Sequence, residues 1–148
     1  MRIYINPEQA GHAPAYEFFR GERVPCFENP SRFAHVMQAL QARGWAVQAP
    51  DARCDEVLAQ VHAPRYLDFL RTAWDQWLAL DAANASVQPF PSVWPVRSLR
   101  SDVEPANFVA CLGLYSMDNG SPLAAGTWAA AKAGADAAAS AAQALLAG

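Results

Sequence analysis

The feature that most constrains this sequence is its last stretch, GTWAAAKAGADAAASAAQALLAG, in which twelve of the 23 residues are alanine. Alanine favours helix more than any other residue, so residues 126–148 predict one long helix. Its polar side chains fall on one narrow stripe, formed by Lys132, Asp136, Ser140 and Gln143. A helix with so little polar surface is buried on most of its circumference, so it needs a sheet to pack on. If that sheet is incomplete in this chain, we expect the Ala/Leu face of the helix to be exposed.

Composition excludes several classes of protein. The 148 residues suffice for about one domain, and only 17% of them are charged, against about 25% in an average soluble domain. The net charge of −3 gives no reason to expect nucleic acid or an anionic membrane as partner. The N-terminus MRIYINPEQ does not have the pattern of a signal peptide, and no stretch predicts a membrane-spanning helix. We therefore expect a cytoplasmic protein with neither nucleic acid nor membrane as partner.

The first fifty residues predict a strand, a helix and a second strand. RIYIN and WAVQAP alternate in polarity, as strands do, and ENPSRFAHVMQALQARG lies between them. In that helix, Asn29 suits the N-cap and Pro30 the first turn. Its apolar stripe consists of Phe33, Val36, Met37 and Leu40. This order indicates a βαβ unit with a parallel sheet.

Two further helices follow. Residues 51–61 predict a short helix with Val57, Leu58 and Val61 facing inward. Residues 64–80 predict a longer helix, whose buried face consists of Leu67, Leu70, Trp74, Trp77 and Leu78.

Two segments do not fit a regular pattern. Residues 6–28 show no convincing period, although they contain four carboxylates and four aromatic side chains. Residues 81–125 form a long insertion in which FVACLGLY predicts either a short strand or a short helix. The insertion is too apolar to remain disordered, so we expect it to bury itself on its own domain, on a partner subunit, or on both.

Residue chemistry alone does not define a site. The histidines His12, His35 and His62 have no second ligand at metal-binding spacing on the same element, and the three cysteines lie far apart. The chain contains no GxSxG turn, glycine-rich phosphate loop or CxxC pair. On these grounds Glu17 and Glu104 are ordinary loop carboxylates, and the chain is an α/β fragment of unknown role.

Four stretches in the same order carry a resemblance to a known family. They are MRIYI with the loop YEFFRGERVPCFENPSR, then VHAPRYLDFL, then TAWDQW with the insertion text VWPVRSLRSDVEP, and finally AAGTWAAAKAGADAAASAA. In this order and spacing, the sequence resembles the N-terminal part of the arginase/deacetylase fold. Within the histone deacetylase superfamily it is most similar to the bacterial acetylpolyamine amidohydrolases. The resemblance covers essentially all 148 residues, and it depends on the order of the stretches rather than on any single motif.

The resemblance implies an α/β fold: the N-terminal part of a three-layer α/β/α arginase/deacetylase-like domain with a parallel sheet, incomplete in this chain. Residues 1–148 would then be a partial domain. It would comprise a loop at the site entrance (6–28), an insertion or dimerisation loop (81–125) and a layer helix (126–148).

The family implies a zinc-dependent hydrolase of acetylated polyamines or acetyl-lysine-like small molecules. In that family a zinc-bound water attacks the acetamide, tandem histidines transfer protons, and a tyrosine supports the oxyanion. All of these groups lie beyond the Ala-rich helix, so we expect no catalytic or metal-binding residue in this chain. We expect it to be a truncated, inactive fragment. The alternatives are a short non-catalytic chain acting as a dimerisation or binding module, and an unrelated small α/β binding domain.

The resemblance also implies substrate-binding positions. Glu17 and Phe19 match an acid and an aromatic of the entrance loop, where Phe19 stands in place of a family tyrosine. Glu104 and, more loosely, Asp118 match acids of the insertion that face the distant ammonium of the substrate. Carboxylates spaced along a partly desolvated tunnel would select a slender polycation. The insertion 81–125 would also form the interface of a homodimer.

Overall fold

In the computed structural model, the described residues are 1–96, 98, 100, 102–120 and 122–148. The other four, Arg97, Leu99, Ser101 and Ser121, belong to the predicted insertion. Part of the stretch VWPVRSLRSDVEP therefore lies outside the described residues. The chain divides into two compact units. The first comprises Met1–Ala13, Glu28–His62 and Ala125–Gly148, and the second comprises Pro14–Phe27 and Ala63–Ala124.

The described elements are mainly helical. The strands are β1 (Tyr16–Phe19) and β2 (Glu22–Pro25). The α-helices are α1 (Ser31–Ala42), α2 (Asp55–Val61), α3 (Pro64–Leu80), α4 (Phe108–Tyr115) and α5 (Thr127–Leu146). Short 3₁₀ helices occupy Gln9–Gly11 and Ala82–Ser86. None of the helices in the described part is long and apolar enough to cross a membrane.

The two predicted N-terminal strands meet in the first unit as a single parallel bridge between Tyr4 and Gln48. The Ile5 amide donates to the Gln48 carbonyl at 3.0 Å, and the Gln48 amide donates to the Ile3 carbonyl at 2.9 Å. The predicted parallel direction is therefore confirmed. The prediction of two full strands is wrong, because the two segments, both within the described residues, pair only at this bridge. A parallel pair is less stable per residue than an antiparallel pair, and this bridge is too short to define a strand.

Helix α1 begins one residue later than its sequence predicts, with Pro30 rather than Asn29 at the N-cap. The Asn29 side-chain oxygen accepts from the Ser31 amide at 3.0 Å and so satisfies one of the free amides of the first turn. Along the predicted apolar stripe, Phe33, Met37 and Leu40 are half-buried, whereas Val36 is 55% exposed.

The middle of the polar stripe of α5 is buried, although the sequence suggested that the stripe faces solvent, and of its four described residues only Gln143 at its end is exposed. Asp136 is 4% exposed and Ser140 is 1% exposed. The Ser140 hydroxyl accepts from the Asp51 and Ala52 amides at 3.2 and 3.0 Å. The stripe was misassigned because these short side chains satisfy main-chain amides of a neighbouring loop, a role that helical periodicity cannot distinguish from solvation.

The other side of α5 is exposed, as the sequence predicts for an Ala/Leu face. Leu145 and Leu146 are 84% and 89% exposed, and Ala131, Ala138 and Ala142 are exposed as well. At the start of the helix, a Cβ added to Gly126 would meet the main chain of Gly11, so glycine permits a close approach there.

Helix α2 is shorter than predicted, because it begins at Asp55 rather than at position 51. The amides of Asp51, Ala52 and Cys54 instead donate to side chains of α5. The predicted inward face is also wrong, since Val57 and Val61 are 54% and 71% exposed while Leu58 is half-buried. A seven-residue helix has too few turns for its apolar spacing to determine which face is buried.

In the second unit, residues 16–25 form an antiparallel hairpin that the sequence did not predict. Arg20 and Gly21 form its turn with φ of 53° and 84°. Both values are positive, as a two-residue type I′ turn requires. Arginine is uncommon at such a position, so the pair Arg-Gly carries a weaker turn signal than Asn-Gly or Asp-Gly.

The core of the second unit lies between α3 and α4. It consists of Phe69, Ala73, Phe108, Cys111 and Leu112, with Trp77, Val109, Tyr115 and Leu123 packed against it. The segment FVACLGLY, for which strand and helix were both open, is therefore a helix. Asn107 caps it, since its side-chain oxygen accepts from the Val109 and Ala110 amides.

The insertion is only partly buried on its own unit. Pro89 is fully buried, and a Cβ on Gly113 would collide with the Val93 carbonyl, so α4 packs directly on the insertion main chain. The side chains beyond that contact point outward. Val93, Trp94 and Val96 are 57%, 41% and 60% exposed. We call these three side chains the insertion patch.

Candidate functional site

A polar cleft in the second unit runs between α3 and the segment that precedes α4. Its volume is about 290 Å³. It is lined by Arg65, Asp68, Phe69, Thr72, Gln76, Glu104, Pro105, Ala106, Phe108 and Cys111. Glu104, one of the four predicted substrate-binding residues, is exposed and lines this cleft. An exposed carboxylate in a polar cleft is suited to binding a cationic group.

The segment that carries Glu104 is attached to both helices. The Arg65 guanidinium on α3 donates from Nη1 to the Asp102 carbonyl at 2.7 Å. The Cys111 thiol on α4 donates to the Pro105 carbonyl at 3.0 Å. In addition, Arg100 donates to both carboxylate oxygens of Asp102 at 2.9 Å, which lowers the pKa of Asp102. The position of Glu104 is therefore determined by main-chain contacts on either side of it.

Tyr115 lies near Glu104, whose carboxylate acts on the tyrosine hydroxyl. Within the described part of the chain, the buried Tyr115 hydroxyl has no hydrogen-bond partner in good geometry. Even so, burial together with the neighbouring Glu104 carboxylate raises the pKa of Tyr115 to about 12. The hydroxyl is therefore protonated at neutral pH and can only donate toward a carboxylate.

Glu17 is buried in the hairpin rather than exposed to a ligand. It is 8% exposed, and its Oε2 accepts from the Cys26 thiol at 3.2 Å and from the Phe27 amide at 3.1 Å. Burial and the Glu17 carboxylate raise the pKa of Cys26 to about 11. In this arrangement one oxygen of Glu17 on β1 binds the two residues that follow β2.

Phe19 and Asp118 are at the surface. Phe19 is 48% exposed and packs edge-on against Phe27 with ring centroids 5.9 Å apart. Asp118 is exposed, and its Oδ1 accepts from the Gly120 amide at 2.9 Å, which forms a local turn. Neither residue is among the described residues that line the cleft at Glu104, and neither is Glu17.

The residues that surround Glu104 were not found from the sequence. Arg65 lies 37 positions away from Asp102, and no periodic pattern connects them. Tyr115 falls in FVACLGLY, the segment whose secondary structure was left open. Two larger grooves of about 590 and 550 Å³ lie in the first unit, and neither is lined by a predicted site residue.

The described residues do not provide a ligand set for zinc. No three His, Cys, Asp or Glu side chains in the described ranges lie together as a metal site. His12 Nδ1 lies 2.9 Å from the Thr127 hydroxyl, and burial lowers the pKa of His12. His35 Nδ1 lies 2.7 Å from the Ser31 carbonyl. We therefore assign zinc to none of these side chains.

Comparison with known proteins identifies one group of relatives. No protein-family model matches the chain. The chain is 38% identical to acetylpolyamine amidohydrolase 2 of Pseudomonas aeruginosa over 129 residues. This aligned stretch covers 86% of this chain and 36% of that protein. The chain is 31% identical to the acetylpolyamine amidohydrolase of Mycoplana ramosa over 132 residues, and this stretch covers 88% of this chain and 38% of that protein.

A solved structure gives the fold. The chain is similar to the crystal structure of an acetylpolyamine aminohydrolase from Burkholderia pseudomallei, with a TM-score of 0.81 and 29% sequence identity. The similarity covers 97% of this chain and 41% of that one.

The chain therefore has an α/β arginase/deacetylase fold in partial form. Over the part that matches, it is a homologue of the bacterial acetylpolyamine amidohydrolases, which confirms the resemblance inferred from the sequence. The chain spans 36–38% of the length of these two curated relatives.

Proposed function

We propose that this chain forms part of an amidohydrolase that removes acetyl groups from acetylated polyamines or related acetylated amines. The observation that supports this most strongly is the match over 86% of the chain to a protein named acetylpolyamine amidohydrolase 2. We take the matched part to be the N-terminal part of the domain. The cleft at Glu104 supports the proposal independently, because an exposed carboxylate there suits a cationic substrate.

The catalytic centre of such an enzyme is proposed to need residues from the part of the relatives that this chain does not match. Zinc would supply a Lewis acid and an activated water in the whole enzyme. This chain would instead supply the substrate wall, with Glu104 as the principal acid and Asp118 as a second one. Glu17 and Phe19 would form the entrance, where Glu17 stabilises the hairpin that carries Phe19.

The purified 148-residue chain is expected to release no acetate from N-acetylputrescine in the presence of zinc. The Pseudomonas aeruginosa relative, assayed in parallel, serves as the positive control. Acetate release that depends on both zinc and the 148-residue chain would refute the inactivity of the chain but not its membership of the family.

Glu104→Gln is expected to weaken the binding of N-acetylspermidine by about 1–2 kcal/mol, because it removes the charge that faces the ammonium. Binding of a neutral acetamide should change little. The measurement is NMR titration of the 148-residue chain, followed at the amides of Asp102, Val103, Glu104 and Ala106. Glu56→Gln, which removes an exposed carboxylate in the other unit, is the matched control. Equal losses for the two ligands would contradict the role of Glu104.

A second candidate function is a non-catalytic dimerisation or binding module. The exposed side chains of the insertion patch favour it, since Val93, Trp94 and Val96 form an apolar surface on a segment that α4 fixes in place. We propose a homodimer through residues 81–125 in either case. The two functions differ in the cleft, because a pure dimerisation module has no need of an acid at position 104.

A further inference from the structure

Two contacts attach the main chain on either side of Glu104. Arg65 Nη1 donates to the Asp102 carbonyl at 2.7 Å, and the Cys111 thiol donates to the Pro105 carbonyl at 3.0 Å. A guanidinium–carbonyl bond is charge-assisted and is therefore the stronger of the two. Because Arg65 lies in the first turn of α3, it connects the segment to the longest helix of its unit.

We propose that Arg65 is a positioning residue for Glu104, holding the main chain at Asp102 so that the Glu104 carboxylate stays over the cleft. This inference rests on the proposed function of Glu104 as an acid that binds an ammonium group. The contact goes to a carbonyl, so the identity of the Asp102 side chain does not determine it. Arg65 acts through Glu104 and needs no contact with the ligand.

Arg65 has a second possible effect on ligand binding, which would weaken the binding of a cation rather than strengthen it. Arg65 and Glu104 line the same cleft, so the guanidinium could simply repel an ammonium ion. If repulsion dominated, removal of Arg65 would strengthen the binding of a polyamine. If positioning dominates, removal weakens binding, because a mobile carboxylate must be ordered again when the ligand binds.

The test is NMR titration of the full 148-residue chain with spermidine as the probe. The proteins compared are the wild type, Arg65→Met, Arg65→Lys, Glu104→Gln and the double variant Arg65→Met/Glu104→Gln. Arg65→Met is expected to weaken binding about three- to tenfold, and Arg65→Lys, which keeps a cationic donor, less than about twofold. The double variant should bind no more weakly than Glu104→Gln alone, because the two residues act as one unit.

Tighter binding by Arg65→Met, or losses that add in the double variant, would overturn the inference. A second readout needs no ligand: the heteronuclear NOE of the Val103 and Glu104 amides. Arg65→Met should lower it, Arg65→Lys should preserve it, and Arg71→Met, on the same helix but paired with Asp68, should not affect it.

These readouts separate the inference from the function on which it rests. If the wild type does not bind spermidine, the proposed role of Glu104 fails, and the heteronuclear NOE still decides the positioning role. An unchanged NOE in Arg65→Met overturns the positioning role whatever the titration shows. Should Arg65→Met not fold, Arg65→Gln replaces it as the uncharged variant in both measurements.

Discussion

Asp136 is a buried carboxylate whose hydrogen-bonding partners come from two places. It accepts from the Cys54 amide at 2.8 Å, and both of its oxygens accept from the Lys132 ammonium at 2.7 and 2.8 Å. Burial alone would raise the pKa of Asp136, but the bonds from Lys132 and Cys54 outweigh it and lower that pKa. The carboxylate is therefore ionised at neutral pH, and its stabilising contribution is lost only as the pH falls into the acid range.

Asp136→Asn is expected to reduce the free energy of unfolding by about 3 kcal/mol, because it breaks a buried ion pair and leaves Lys132 poorly compensated. Asp55 also contacts Lys132, at 3.2 Å, but its side chain is 68% exposed. Asp55→Asn is therefore the matched control and should cost less than about 1 kcal/mol. Urea unfolding followed by circular dichroism measures both, and similar losses in the two variants would contradict the role of burial.

At the scale of elements, predictability follows from length and from local contacts. Helix α3 could be predicted because its seventeen residues repeat the apolar spacing over several turns. The hairpin could not be predicted, because its Arg20-Gly21 turn and its buried Glu17 depend on contacts that the residue pattern does not encode. The candidate site follows the same rule. Glu104 was found through a family resemblance, whereas Arg65 and Tyr115 reach it only through the packing of α3 and α4.

The hairpin should lose stability in base through its cysteine. The folded state raises the pKa of Cys26 from its ordinary value of 9.0 to about 11, so the folded protein holds the thiol proton more tightly than the unfolded chain. The stabilisation is complete below pH 9 and is lost as the pH rises toward 11, by about 1 kcal/mol near pH 10.

The measurement is the free energy of unfolding at pH 8 and pH 10 for the wild type and for Cys26→Ala. The difference between the two proteins isolates this thiol from other groups that titrate in base. It should shrink by about 1 kcal/mol between the two pH values. A difference that stays constant would show that folding does not shift the pKa of Cys26.

At the scale of the molecule, the chain leaves apolar surface open in each unit. The Ala/Leu face of α5 is exposed in the first unit, and the insertion patch is exposed in the second. The exposed Ala/Leu face was expected for a chain with an incomplete sheet. For the insertion, the sequence predicted burial on its own domain or on a partner, and the exposed insertion patch is not buried on its own domain. The sequence could not predict which side of α5 is buried. Short polar side chains can accept hydrogen bonds from the main-chain amides of a loop as readily as they bond to water.

In the proposed homodimer, Trp94→Ser is expected to raise the dissociation constant at least about tenfold, because aromatic anchors contribute most of the energy of an interface. Sedimentation equilibrium over a range of concentrations measures it. Val36→Ser, which removes a similarly exposed apolar side chain from the first unit, is the control and should leave association unchanged. An unchanged dimer in Trp94→Ser would exclude the insertion patch as the interface.

The buried stripe of α5 determines how the helix is rotated about its axis. Alanines are nearly uniform in shape, so packing alone would allow many rotations of similar energy. The Cys54 amide donates to Asp136, and the Asp51 and Ala52 amides donate to Ser140. These bonds remove that freedom. One residue inserted between Asp136 and Ser140 would turn the rest of the helix by about 100° and separate the two sets of bonds. Substitutions among the exposed alanines are thus mild, whereas a change in the number of residues is not.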